Sequence, residues 1–199
     1  VESAPFPIAV YTGLEMRIQF VNQSVIDIWG KGKDIVGRTY AEVLPELANQ
    51  GIYQQLENVF TTAIPFHAHN QRMDLMVDNK MKSQYFNYSF TPLFDINGKV
   101  YGVMNTAADV TDLVVSKQKV EESEKEFRQL ADSLPELVWT TDSAGNQLFA
   151  SRRWKEFTGL DPYDADTFDK MIHPDDRENV LYAWTVSLAS GDIYKTQLR

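Results

Sequence analysis

Two histidines come nearest to a reactive arrangement. His67 and His69 are separated by one residue, and on an extended strand that spacing puts both side chains on one face. Imidazole titrates near neutral pH and ligates metals. With Gln71 the pair is a candidate polar contact for a ligand, ahead of any metal or haem role. His173 precedes Pro174-Asp175-Asp176 and reads as a structural residue holding the loop before a helix. The acidic pairs Asp175-Asp176 and Glu121-Glu122 read as helix ends or solvated faces, not as paired catalytic carboxylates. No nucleophile, base and orienting residue can be grouped. Gly30 and Gly32 lack the Lys-Ser/Thr continuation of a phosphate loop. No catalytic residue and no metal site is expected.

Composition narrows the classes further. The 199 residues include no cysteine, which removes disulfides, thiolate zinc sites and a cysteine-linked chromophore. A formal charge of −9 repels nucleic-acid phosphate and anionic lipid surfaces, so neither is an expected partner. No run of about 18 apolar residues offers a membrane span. A cytoplasmic setting is expected, with the parent protein free to be membrane-anchored. Val1 is not an initiator methionine and no signal peptide follows it, so the chain reads as a piece of a longer protein.

The elements that must position these residues are clearest from Tyr85 to Asp112. Phe86, Tyr88 and Phe90 alternate with Asn87, Ser89 and Thr91, the pattern of a strand with one buried face. Pro92 is expected to end regular pairing, since it has no N–H. Asn97-Gly98 predicts a two-residue type I′ turn, and Val100 to Ala107 returns as the partner strand. Asp109 or Thr111 can cap the helix that follows. Upstream, a strand from Met16 to Asn22, a helix from Gln23 to Trp29 closed by Gly30, and a helix from Ile52 to Ala63 stopped by Pro65 can be read. Phe66 to Val77 is a third strand, followed by a polar turn over Asp78 to Lys82.

The ordered set Phe90-Thr91-Pro92-Leu93, Asp95-Ile96-Asn97-Gly98, Gly102 and Asp109-Val110-Thr111 resembles the last two strands and exit of a PAS domain. The chain then repeats. Phe6-Pro7-Ile8-Ala9-Val10 matches Leu134-Pro135-Glu136-Leu137-Val138, Phe20-Val21-Asn22 matches Phe149-Ala150-Ser151, and Gly30 matches Gly159. A repeat of that size implies two copies of one fold. Trp139-Thr140-Thr141-Asp142, Trp154 to Gly159 and His173 to Arg177 fall in the order of a PAS variant. In the second copy Val180, Leu181, Trp184 and Leu188 are expected to form the buried side of a helix, and Ile193 to Leu198 to begin a strand. Nothing corresponds to Tyr85–Thr111, so the second sheet is expected to have open edges. It should be completed by a further segment or be less ordered than the first.

The fold class is therefore α+β: a PAS-like five-stranded antiparallel sheet with flanking helices, in two tandem copies. Residues 1–112 form the first domain, 113–133 a linker helix, and 134–199 an incomplete second domain lacking its last two strands. The resemblance implies the sensory region of a bacterial histidine kinase, with a hollow first domain able to hold an unknown small molecule. Trp29, Tyr53 and Tyr88 are the candidate aromatic lining, beside His67 and His69. Asp109, Val110 and Thr111 form the signal exit. Leu113, Val120 and Phe127 recur at heptad spacing as the seam of an expected homodimer, although Lys117, Glu124 and Ala131 leave that seam half built. No cofactor is expected: flavin–thiol photochemistry needs the missing cysteine, and helix 52–63 lacks a histidine for haem. Two alternatives stay open, a dimerisation and relay module that binds nothing, and the input region of a diguanylate cyclase or transcription regulator.

Overall fold

Alternating side chains build the first unit. In the computed structural model, which describes residues 2, 4–164 and 166–197, β1 (Ile8–Thr12) and β2 (Arg17–Val21) pair antiparallel. Three helices follow, α1 (Gln23–Trp29), α2 (Tyr40–Val43) and α3 (Ile52–Thr62). Then come β3 (Phe66–Val77), β4 (Lys80–Phe94) and β5 (Val100–Asp109). All five strands make one sheet in the order β2-β1-β5-β4-β3, every pair antiparallel. One face carries Ala9, Tyr11, Phe86, Tyr88, Phe90 and Val103 against Val25, Trp29, Leu56 and Val59 of the helices, which is the core.

Two turns differ from expectation. The polar turn after β3 is only Asp78-Asn79, with φ of 50° and 59°, and Lys80 already pairs with Val77. This is the two-residue hairpin geometry with both central residues left-handed. The loop with Asn97-Gly98 is a different device, because there only Gly98 has positive φ, 76°. The Asp95 carboxylate accepts the N–H groups of Asn97 (2.8 Å) and Lys99 (2.9 Å), while Gly98 N–H donates to the Asp95 carbonyl. An aspartate binding its own downstream backbone holds the turn without the type I′ twist. Asp142 repeats the same bonds to Ala144, Gly145 and Asn146. Pro92 does not end β4 but pairs with Val103. Past Phe90 the strand has lost β3, so a missing N–H is tolerated on the vacant side.

The outer edge of β3 is covered by side chains rather than by a strand. The Gln50 amide accepts from Asp74 N–H (3.0 Å) and donates to Asp74 C=O (2.9 Å). Glu46 Oε1 accepts Met76 N–H at 3.0 Å, and the Lys31 ammonium lies 3.1 Å away. Such blocking removes a template for pairing with another chain. Burial alone would raise the Glu46 carboxyl, but the backbone N–H groups and Lys31 outweigh it and hold it below the usual range. A depressed folded value means stability present above the unfolded value of about 4.3 and lost as pH falls through the folded one. Glu46→Gln should lower the neutral-pH stability of this unit by about 1 kcal/mol and flatten its loss of stability below about pH 4. Urea midpoints at stepped pH test this, and an unchanged acid slope contradicts it.

The chain divides into two compact units, residues 1–118 and 119–199. The boundary falls inside α4 (Thr111–Ser133), a single helix that begins two residues before the predicted linker. The second unit continues with β6 (Trp139–Thr141), β7 (Gln147–Ala150), α5 (Arg152–Thr158), α6 (Thr167–Met171) and α7 (Arg177–Ser190). Its sheet has two strands. Val138 bonds Ser151 as Ile8 bonds Asn22, so Ile8, not Val10, is the equivalent of Val138. The predicted strand from Ile193 is absent over residues 193–197, and Leu198 lies outside the described residues. An extended segment without a neighbour has no ladder to join. Of the predicted buried side of α7, only Val180 is buried; Leu181 is 47% exposed and Leu188 is also exposed. The sheet face that would cover them is the one β4 and β5 supply in the first unit.

Candidate functional site

The interior of the first unit is filled, not hollow. Tyr40 stands at its centre, packed edge-on against Tyr11 (5.1 Å), Trp29 (5.8 Å) and Tyr53 (5.6 Å). The remaining space, lined by Trp29, Tyr40, Tyr88 and Asn105 among others, is about 30 Å³. That holds roughly one water molecule. Trp29 and Tyr88 do line it. Tyr88 donates to Gln55 Oε1 at 2.6 Å, and burial pushes its hydroxyl up to about 12. Tyr53 instead lines a separate depression with Leu14 and Met16, and its hydroxyl donates to the Leu44 carbonyl at 2.6 Å. Asn105 Nδ2 donates to the Tyr11 hydroxyl at 3.3 Å, while its buried Oδ1 has no partner. Tyr40 was not among the predicted lining residues. The signal was present in Thr39 and Glu42, which form a capping box and fix Tyr40 at the first turn of α2.

His67 and His69 do not belong to that interior. Both are exposed, on the opposite face of β3 from buried Ala68. The period-two rule that puts them on one face also sends them outward, because Ala68 takes the core side. His67 Nδ1 lies 2.7 Å from Ser89 Oγ, in a shallow depression with His69 and Asn87. Gln71 is exposed beyond an irregularity in the β3–β4 register. Among the described residues no three His, Cys, Asp or Glu side chains are grouped to hold a metal. His173 accepts Asp175 N–H and so caps the turn Pro174–Asp176.

The exit is tied to the sheet. Asp109 accepts Thr111 N–H at 2.9 Å and Gln84 Nε2 at 3.0 Å. Thr111 Oγ1 accepts Tyr85 N–H at 2.9 Å, and Val110 N–H donates to Tyr85 C=O at 2.8 Å. The first turn of α4 is thereby bonded to β4 on both sides of Val110. Further along, Leu113 and Val120 are exposed. Phe127 is 42% exposed and divides its ring between that stripe and Phe149, 5.2 Å away edge-on.

A second space walled by aromatic side chains is in the second unit. A cavity of about 470 Å³ lies among Trp139, Trp154 and Trp184, with Thr141, Asn146 and Gln147 beside them. Trp139 meets Trp154 edge-on at 5.4 Å. Two buried donors there, Trp154 Nε1 and Gln147 Nε2, have no partner. Unpaired buried N–H groups carry a desolvation penalty of about 1–3 kcal/mol each, so an acceptor placed among them is favoured. Three of the chain's four tryptophans line this cavity. Their number was legible, but their convergence depends on tertiary packing.

A model described as the PAS fold matches residues 1–115, and one described as a PAS domain matches residues 125–190. The chain belongs to the PAS family. The two PAS matches coincide with the two copies of the repeat. Among curated proteins the chain is 31% identical over 99 residues to protein y4lL of Sinorhizobium fredii, covering 49% of this chain and 12% of that protein. It is 40% identical over 45 residues to the hybrid signal transduction histidine kinase H of Dictyostelium discoideum, covering 22% of this chain and 3% of that protein. It thus spans a small fraction of the curated relatives it matches. Among solved structures, the PAS domain of Bordetella pertussis BvgS is similar at 19% identity, over 62% of this chain and 92% of that one, with a TM-score of 0.44. An RNA-binding light-oxygen-voltage receptor is similar at 13% identity over 64% and 35%, with a TM-score of 0.50. Among the described residues no helix is long and apolar enough to cross a membrane.

Proposed function

We propose that this PAS region senses a small molecule in its second unit and relays the bound state through α4 to an output such as a histidine kinase. The observation that carries this is the cavity of about 470 Å³ walled by three tryptophans, with two buried donors unpartnered. A planar aromatic molecule bearing a carbonyl acceptor fits that chemistry: the rings stack and the carbonyl takes the indole N–H. The first unit, with room for about one water, acts as a packed relay rather than as the ligand site. The bonds from Asp109 and Thr111 to β4 give it a defined connection to α4. The kinase output rests on the likeness to the histidine kinase of Dictyostelium discoideum.

Coumarin is a suitable probe. It should quench the tryptophan fluorescence saturably, and Trp154→Phe, which keeps an aromatic ring but deletes the N–H, should weaken binding about tenfold. Absence of saturable quenching up to about 1 mM (a binding energy of roughly 4 kcal/mol) rejects the small-molecule reading. A second reading is favoured by one observation: the free edge of β6 corresponds to the edge of β1 that pairs with β5. If protein strands cover this face instead, coumarin fails to bind and the β6 amides are protected from exchange.

A further inference from the structure

We infer that Asp132, on the last turn of α4, regulates the tryptophan cavity by holding the N-terminus of α5. The inference rests on the cavity being the sensing site. Ser151 occupies the N-cap position of α5 but makes no side-chain cap bond. Its hydroxyl is taken by Val138 N–H at 3.2 Å. The first N–H of the helix, that of Arg152, donates instead to Asp132 Oδ1 at 2.7 Å. A cap normally comes from the residue next to its helix; here it comes from a different helix, so moving one moves the other.

The contact does not stand alone. About one turn earlier on α4, Arg128 lies over the ring of Phe149 at 5.2 Å and Phe127 meets the same ring edge-on. Arg128 is itself steadied by Glu124 at 2.8 Å. Ala131, beside Asp132, is buried. The end of α4 is therefore seated on β7 and capped onto α5. On α5 the inward residue is Trp154, 2% exposed, with its indole at the cavity wall and its N–H unpartnered. Only the short helix from Arg152 to Thr158 separates the Asp132 carboxylate from that indole. Turning α4 withdraws the carboxylate, frees the start of α5 and loosens the wall. Filling the cavity fixes Trp154 and with it the cap. Linkage makes the two effects reciprocal.

Hydrogen exchange followed by NMR tests this at two reporters, the Arg152 amide and the Trp154 indole N–H. In Asp132→Ala both should exchange at least tenfold faster, while Asp132→Asn, which keeps an oxygen acceptor, should restore both. Should Asp132→Ala be too unstable for spectra, Asp132→Leu, which also lacks an acceptor and is a strong helix former, gives the same comparison. Faster exchange at Arg152 with an unchanged Trp154 indole overturns the inference, because the cap is then purely local. These readouts need no ligand, so they stand even if coumarin does not bind. If coumarin does bind, saturating it should slow Arg152 exchange in the unaltered chain and not in Asp132→Ala; equal slowing in both overturns the coupling.

Discussion

Gly102→Ala should destabilise the first unit by about 3 kcal/mol and lower its melting temperature by roughly 15 °C. Gly102 sits in β5 between Thr12 of β1 and Leu93 of β4. Its φ is not positive, so its backbone conformation does not demand glycine. What demands it is space. An added Cβ would lie 2.4 Å from the Tyr11 carbonyl oxygen and 3.3 Å from the Thr12 side chain. The near atom is backbone, so no rotamer change relieves the clash, and β1 must move away from β5. Tyr11 is carried with it. That breaks the edge contact of Tyr11 with Tyr40 and the bond from Asn105 to the Tyr11 hydroxyl, and so reaches the centre of the core. Gly13→Ala is the matching control. Gly13 has φ of +68° and nothing within 4 Å of an added Cβ, so it should lose only about 1 kcal/mol of backbone strain. Thermal and urea melts of the two variants decide the matter. A loss at Gly102 no larger than at Gly13 would show that the sheet opens without resistance.

The sheet was legible because its evidence is local. Phe86, Tyr88 and Phe90 alternate, and β3 ends at Val77, just before the polar turn residues that were expected to stop it. The elements that went differently depend on neighbours. Pro92 survives inside β4 because β3 has already ended there, which no local pattern records. His67 and His69 share a face as their spacing required, but which face was decided by Ala68. The expected hollow in the first unit is closed by Tyr40, whose ring meets three others brought from separate elements. The second-unit cavity was missed for the same reason in reverse. Trp139, Trp154 and Trp184 come from a strand and two helices, and Leu181 stays exposed because no sheet face lies over it. The repeat itself was readable, yet its register was set by the bonds of Asn22 and Ser151 rather than by the prolines.

Asn22→Leu should be among the most damaging single changes in the chain, at about 3–4 kcal/mol. Asn22 is 1% exposed. Its Oδ1 accepts the N–H groups of Ile8 at 3.0 Å and Val25 at 3.2 Å, so it caps α1 and pins the start of β1 at once. Its Nδ2 donates to the carbonyls of Phe6 at 2.8 Å and Ala4 at 3.3 Å. Leucine fills the volume but leaves these backbone groups buried and unpaired. Asn22→Asp separates the two halves of the role. It keeps the acceptor and loses the donor, setting a carboxylate against two carbonyl oxygens. The variant keeps the two accepted N–H bonds and loses the donations to Phe6 and Ala4, so at neutral pH it should cost about 1–3 kcal/mol, less than Asn22→Leu. Urea midpoints of the two variants at neutral pH test this; a loss at Asn22→Asp as large as at Asn22→Leu contradicts it. Asn22→Ser should fall between the leucine variant and the unaltered chain. In the second unit Ser151 takes only the strand's N–H, and the cap has passed to Asp132. One asparagine in the first unit takes both a strand N–H and a helix N–H, a role that two residues share in the second.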